Sequence, residues 1–392
     1  MASSAFLTRL SALEQRHNSI LARRNAIDPG CDNGWFQRYL RPVLTAEHIP
    51  LDWRYDLNES TNPRLLERLA INSVFNSGAF EYAGKICLIC RVEGVDRKSF
   101  FAIADSSNGI DGFSFWDEPV LLPQTADPDV NVYDMRVTFH DDGFAYGTFC
   151  SERKDTSAPM HDTSAAVAAC GIVRTRNFVQ WERLPDLVSA SPQQRNVVLH
   201  PKFFAGQYAF YTRPQDGFIE TGSGGGIAWA LCQDITQPLI GEERVIDPRQ
   251  YHSINEVKNG MGAPPIETDE GFLHIAHGVR NTAAGLRYVI YAFLCDKDEP
   301  YRVTHRPGGY FLAPQGDERV GDVSNVVFSN GLVTRPNGDV FIYYGSSDTR
   351  MHVATTTVPT LLDYVKNTPQ DPLFSHRCVE QRLGLIRRNR AR

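Results

Sequence analysis

The chain has 392 residues, 42% of them hydrophobic and 22% charged, with a formal net charge of -6, enough for a large core. Mild acidity argues against nucleic acid as a main partner, and there is no run of about 18 apolar residues that could span a membrane. The eight cysteines are scattered, several inside apolar runs, which reads as buried thiols in a reducing, cytoplasmic compartment. The N-terminus is broken by Arg9, Glu14, Gln15 and Arg16, so a secretory signal is not expected.

Residues 4 to 25 carry Leu7, Leu10, Leu13, Ile20 and Leu21 near helical spacing, which predicts an amphipathic helix. Its apolar stripe is expected to pack on the main domain or on another subunit, so a homo-oligomer is anticipated. Residues 26 to 70 are irregular, with Pro29, Pro42, Pro50 and Pro63 among the aromatics Trp35, Phe36, Tyr39, Trp53 and Tyr55. Residues 1–70 are therefore read as a helix and a wrapping extension.

From about residue 71 a repeat sets in. A turn glycine followed by an alternating apolar strand recurs at Gly84, Gly143, Gly206, Gly271 and Gly338, roughly 60 to 67 residues apart. Upstream of each glycine a strand begins with polar or small residues: Asn76-Ser77, Asp134, Arg195-Asn196, Gly262-Ala263, and Asp322 with Ser324-Asn325. A further apolar segment follows each, as at Phe101 to Ala104 or Val289 to Ala292. Three or four strands in each of five repeats predict an all-β fold, a five-bladed β-propeller over residues 71–360 with the helical extension before it. Residues 361–392 form a C-terminal extension. No long helical pattern interrupts the repeats, which excludes a parallel α/β architecture.

In a propeller the first strand of each blade lies nearest the axis. Asn76, Asp134, Arg195, Asn196 and Asp322 are then expected to converge on one axial pocket, joined by Arg91, Arg213 and His277 from the second strands. Arg presents a planar fork that matches phosphate or carboxylate, and a buried Asp can serve as an acid. Such a pocket suits an anionic ligand plus proton transfer. The bland reading is that these groups satisfy one another around a water-filled channel. Asp134 next to Arg136 is, likewise, more often a structural ion pair than a catalytic acid.

Several stretches together resemble glycoside hydrolase family 130, the mannoside phosphorylases and related mannosidases. They are Phe75 to Ala79, Cys90 to Gly94, Asp134-Met135-Arg136, Arg195 to Lys202, Tyr211 to Pro214, Gly262 to Ile266, His277-Gly278-Val279 and Gly321 to Phe328. Gln215 to Ile219 with Gly224 to Gly226, Asn255 to Gly260, and Leu361 to Pro369 are similar to the branch that acts on mannosyl-β-1,4-glucose. The resemblance implies reversible, inverting phosphorolysis to α-mannose 1-phosphate and glucose, with no cofactor because phosphate is a substrate. It implies Asp134 as the catalytic acid, acting through the mannose 3-hydroxyl. It implies Arg195, Asn196, Arg213, His277 and Tyr288 at phosphate, and Asn76, Ser77, Arg91, Lys258 and Asp322 along the sugar. A phosphorylase needs no second carboxylate, because phosphate is already an anionic nucleophile, whereas an inverting hydrolase does. The alternatives are a phosphorylase of longer β-1,4-mannooligosaccharides, a mannoside hydrolase, or a non-catalytic glycan-binding propeller.

Four features point elsewhere and are read as structural. Cys87 and Cys90 look like a thiol motif but are three apart on a strand and face opposite ways, and His274 and His277 fail as a metal pair for the same reason, so no metal is expected. The Gly222 to Gly226 run lacks a following Lys-Ser/Thr and reads as a loop near the sugar-entry side. Arg382 to Arg392 reads as a short solvated terminus.

Overall fold

The computed structural model describes residues 2–31 and 33–392. Five antiparallel units, four of them four-stranded and one five-stranded, are arranged as the repeat predicts. Blade one is β2 (Ile71–Tyr82), β3 (Lys85–Gly94), β4 (Ser99–Ser106) and β5 (Ser114–Phe115). Blade two is β6 (Asn131–Phe139), β7 (Ala145–Lys154), β8 (Ala166–Thr175) and β9 (Glu182–Leu184). Blade three is β10 (Val198–Leu199), β11 (Tyr208–Thr212), β12 (Ile227–Cys232) and β13 (Arg244–Asp247). Blade four has β14 (Lys258–Met261), β16 (Gly271–Thr282), β17 (Gly285–Cys295) and β18 (Val303–His305), with β15 (Ile266–Thr268) also on β16. Blade five has β19 (Val327–Thr334), β20 (Asp339–Ser346) and β21 (Arg350–Thr357).

The outermost strand of blade five comes from the other end of the chain. β1 (Gln37–Arg38) pairs antiparallel with β21, Gln37 opposite Thr355 and Arg38 opposite Ala354. This strand lies in the segment read as irregular; two residues are too few to show a period. It closes the ring, and Arg38 secures it from inside. Its guanidinium donates to Glu318 Oε2 at 2.5 Å and to the Ala313 carbonyl at 2.6 Å, while Tyr344 donates to the other Glu318 oxygen at 2.7 Å.

The repeat glycines mark the turns because all five have positive φ, from 76° at Gly84 to 132° at Gly271, where a side chain is strained. The apolar runs alternate between two interfaces. On β3, Ile86, Leu88 and Cys90 pack toward blade five, while Cys87 and Ile89 pack toward blade two. Every blade is covered on both faces, which is why its strands read as nearly unbroken apolar runs. The core is thus divided into layers between neighbouring blades.

Helix α1 (Ser4–Leu21) starts at an N-cap, Ser3, whose hydroxyl accepts from the Phe6 amide, and buries Phe6 and Ile20. A one-turn helix, α2 (Leu51–Arg54), follows in the extension. After the propeller, α3 (Val358–Asn367) buries Leu361, Tyr364 and Val365. The basic terminus is itself a helix, α4 (Ser375–Arg390), with no buried residue.

The inner strands start earlier or later than their polar residues suggest. β2 begins at Ile71 and β14 at Lys258, whereas Asp322 lies in the loop before β19. Asn76 and Asp134 instead sit at interruptions of pairing inside their strands, between Phe75 and Gly78 and between Tyr133 and Arg136. Such bulges turn a side chain out of the ladder.

Candidate active site

A cavity of about 820 Å³ opens along the axis. It is lined by Asn76, Arg91, Asp134, Arg195, Asn196, Arg213, Lys258, His277, Tyr288 and Asp322, so the topology gathers ten predicted residues from all five blades. Ser77 is the exception. Its side chain is fully buried and its hydroxyl faces the Met351 sulfur at 3.8 Å, because it is the second residue of the bulge and points away from the cavity.

Asp134 sits in the left-handed region, with φ of 60°, and so does Asn76, with φ of 48°. Asn76 Nδ2 donates to Asp134 Oδ1 at 3.0 Å, and an Arg91 nitrogen lies 3.6 Å from that oxygen. Arg91 is held between the rings of Phe75 and Tyr133, at 4.4 and 4.7 Å, and donates to Glu93 at 2.6 Å and to Ser99. Burial works against its charge, but Asp134, Glu93 and Asp348 raise its pKa overall. Arg136 makes no ion pair with Asp134. It is buried and donates to the backbone carbonyls of Asp134, Gly262 and Met261.

Cations collect in another part of the cavity. Arg195 donates to the Phe218 carbonyl at 2.8 Å and to the Tyr133 hydroxyl at 3.2 Å, with its guanidinium 4.1 Å from the Phe218 ring. Arg213, buried, donates to Gln215 and faces His277 Nε2 at 3.3 Å. Burial, then the neighbouring Arg195, lowers its pKa to about 10, so it stays protonated at neutrality. Lys258 is buried and lies over the Tyr288 ring at 5.9 Å; burial, then Arg213 and Arg195, pulls its pKa down to about 7. His277 is held neutral by burial and by Arg213, Arg136 and Lys258. With Nε2 accepting from Arg213, its proton sits on Nδ1, which has no partner. Asn196 Oδ1 is buried and unpaired as well. A Cβ on Gly260 would stand 2.4 Å from that oxygen and 2.7 Å from the His277 ring, so only glycine leaves both groups in place.

Among the described residues, no carboxylate pairs with Arg195, Arg213 or Lys258. Arg213 and Lys258 are buried and Arg195 is half-buried; basic groups held there without a counter-ion are expensive to maintain, and the arrangement is that of an anion site.

Sequence reasoning missed Asp348, Tyr133 and Phe218, all on the cavity wall. Asp348 is at the tip between β20 and β21 with φ of 52°. Burial, against the pull of Arg91 and with Asp134, Glu93 and Asp322 adding to it, raises its pKa to about 7. Its signal was a polar tip closing an apolar strand that begins at a repeat glycine. Asp322 lies toward the rim, bonded to Asn72 at 2.5 Å. Phe218 is carried by the glycine-rich loop, which folds back through the Gly225 amide onto the Pro214 carbonyl. His274 stacks on Phe293, at 4.6 Å and 8°, away from the cavity that His277 lines.

A five-bladed propeller whose axial cavity sets a carboxylate against an uncompensated cationic group defines a class of protein built to engage an anion beside an acid. Residues 46–367 match the family described as beta-1,4-mannooligosaccharide phosphorylase, and the chain belongs to glycoside hydrolase family 130. It is 57% identical over 387 residues to a 4-O-beta-D-mannosyl-D-glucose phosphorylase of Bacteroides fragilis, covering 98% of both chains. It is 33% identical over 332 residues to a beta-1,4-mannooligosaccharide phosphorylase of Ruminococcus albus, covering 80% of this chain and 91% of the other. Among solved structures, the beta-1,2-mannobiose phosphorylase of Listeria innocua in complex with beta-1,2-mannobiose superposes with a TM-score of 0.68 at 21% identity, covering 85% of this chain and 99% of that one, a likeness of fold.

Proposed function

We propose that the chain is an inverting phosphorylase that converts 4-O-β-D-mannosyl-D-glucose and inorganic phosphate to α-D-mannose 1-phosphate and D-glucose. The observation that carries this reading is the division of the cavity. Asp134 is held by Asn76 and Arg91, while Arg195, Arg213, Lys258 and the unpaired donor of His277 gather without a carboxylate. A water nucleophile needs no such cationic group; a phosphate dianion does.

In the reaction a phosphate oxygen forms a bond to the mannosyl C1 on the face opposite the glycosidic oxygen. The C1–O bond breaks, and the leaving glucose O4 takes a proton supplied by Asp134, relayed through the mannose 3-hydroxyl. Phosphate carries the compensating proton, so the acid is restored without a cofactor. Arg195, Asn196, Arg213, Lys258, His277 and Tyr288 position phosphate; Asn76, Arg91, Asp322 and Asp348 border the sugar. The 57% identity supports glucose as the acceptor, while the family description supports mannose or longer β-1,4-mannosides as the competing acceptors.

The test is incubation of the protein with mannosyl-β-1,4-glucose, with and without phosphate, beside Asp134→Asn. Expected are α-mannose 1-phosphate and glucose only with phosphate, and a loss of about 10² to 10⁴-fold in the variant. Free mannose without phosphate would identify a hydrolase. Turnover of mannobiose or mannotriose alone would keep the mechanism and change the acceptor.

No helix among the described residues is long and apolar enough to cross a membrane. A reducing, cytoplasmic setting is supported by cysteines that are all free, six of them buried in strands. A homo-oligomer is supported by α4, which exposes Val379, Leu383 and Ile386 at helical spacing.

A further inference from the structure

The pairing between first and second strands is interrupted in the same way in three blades. Two residues drop out of register at Asn76-Ser77 in β2, at Asp134-Met135 in β6 and at Ser329-Asn330 in β19. In the first two, the leading residue is polar, has positive φ and lines the cavity. In the third, Asn330 turns inward and is fully buried. Its Nδ2 donates to the Asn76 carbonyl at 3.1 Å and to the Met135 carbonyl at 2.7 Å, using both amide hydrogens on the backbones of the other two bulges.

We infer that Asn330 is a positioning residue for the reaction: through these two carbonyls it holds Asn76 and Asp134 in the left-handed conformation that joins them and aims Asp134 into the cavity. A non-glycine residue adopts positive φ at a cost and stays there only when its surroundings over-determine it. For Asp134 the surroundings are few. Arg136 takes its carbonyl from one side, at 2.8 Å, and Asn330 takes the carbonyl of the next residue from the other. The approach is close enough to require glycine alongside. A Cβ on Gly331 would stand 2.4 Å from the Ser77 carbonyl oxygen, and one on Gly78 would stand 2.8 Å from that of Met135. Asn330 Oδ1 has no partner, so nothing but the two donated hydrogen bonds accounts for an amide in this place. Asn330 does not reach the cavity and touches no substrate.

The kinetic arm of this inference rests on the phosphorylase reading; the structural arm does not. Asn330→Asp keeps the shape and replaces the donating amide with oxygen facing two carbonyl oxygens; Asn330→Ser is the alternative should that variant fail to fold. In a crystal structure of the variant, Asp134 is expected to leave its left-handed conformation and the Asn76–Asp134 hydrogen bond to open. In kinetics, kcat is expected to fall about 10 to 100-fold with the KM for phosphate changed less than about threefold. Placed on Asp134→Asn, the same substitution is expected to cost less than about threefold more, because its effect passes through the absent acid. An unmoved Asp134 in the crystal, or an undiminished kcat in a folded variant, overturns the inference. A loss of equal size in both backgrounds does so too, since it reports general loosening. Absence of phosphate-dependent turnover in the wild type would sink the phosphorylase reading alone, and the crystal structure would still decide the role of Asn330.

Discussion

Arg136 reaches Asp134 through the backbone, donating to its carbonyl oxygen at 2.8 Å and making no contact with the carboxylate. The acid and the guanidinium two residues apart in β6 are therefore a division of labour, not an ion pair. The guanidinium ties blade two to the Met261 and Gly262 carbonyls of blade four, and the carboxylate is left to Asn76, Arg91 and the cavity.

A lysine carries its three donors on a single nitrogen and cannot span the three carbonyls that Arg136 meets with Nε, Nη1 and Nη2. Arg136→Lys is expected to leave buried acceptors unpaired, each costing about 1–3 kcal/mol. Thermal unfolding should show a lower midpoint, and kcat should fall with it. An unchanged midpoint would mean that the carbonyls find other partners.

Lys258→Met should move stability and activity in opposite directions. Methionine fills similar space without bringing a charge into a cluster that already holds Arg195 and Arg213. The free protein should therefore melt higher than wild type. The contact to phosphate proposed above for Lys258 is removed, and the KM for phosphate should rise about 10 to 100-fold, as for a charged hydrogen bond of about 1.5–3 kcal/mol. Added phosphate should raise the melting temperature of the wild type more than that of the variant.

The pH dependence of stability follows from two groups with opposite signs. Asp348 is raised to about 7. Between the ordinary carboxylate range and pH 7 the folded state binds the extra proton, so this contribution falls as pH rises through that window. Lys258 is lowered to about 7. From pH 7 up to the ordinary lysine range the unfolded state binds more protons, so this contribution rises with pH. Together they place a minimum in the site's contribution near neutrality. Asp348→Asn should flatten the acid limb and Lys258→Met the alkaline limb, each read from melting temperatures between pH 5 and 10. Identical profiles for wild type and both variants would contradict the assignment.

Ring closure depends on a residue far from the site. Arg38→Ala removes the only cation bonded to Glu318 among the described residues, leaving that carboxylate with the Tyr344 hydroxyl and the Gln315 amide. Breaking a buried pair in this way costs about 3–5 kcal/mol. Denaturation should show the loss, with the KM for phosphate unchanged in the folded fraction. A change in KM without a loss of stability would contradict the proposed closure role.

Much of this molecule is legible in its linear order. Glycines with positive φ, each followed by an alternating apolar strand, are local signals, and they predict the five blades. Because a propeller brings its inner strands to one axis, the same repeat predicts that Asn76, Asp134, Arg195, Asn196 and Asp322 meet. Other features rest on contacts between residues distant in sequence, which no local period encodes. Gln37 and Arg38 are too short a run to announce a strand, and only Ala354 and Thr355 make them one. Ser77 looks equivalent to Asn76 until the bulge turns it to the other face. Asp348 becomes a site residue because a hairpin tip from blade five lies beside Arg91 and Asp134. Apolar alternation and turn chemistry act within a few residues and so define the blades; side-chain direction, charge pairing and burial are set between blades, and only the closed ring decides them.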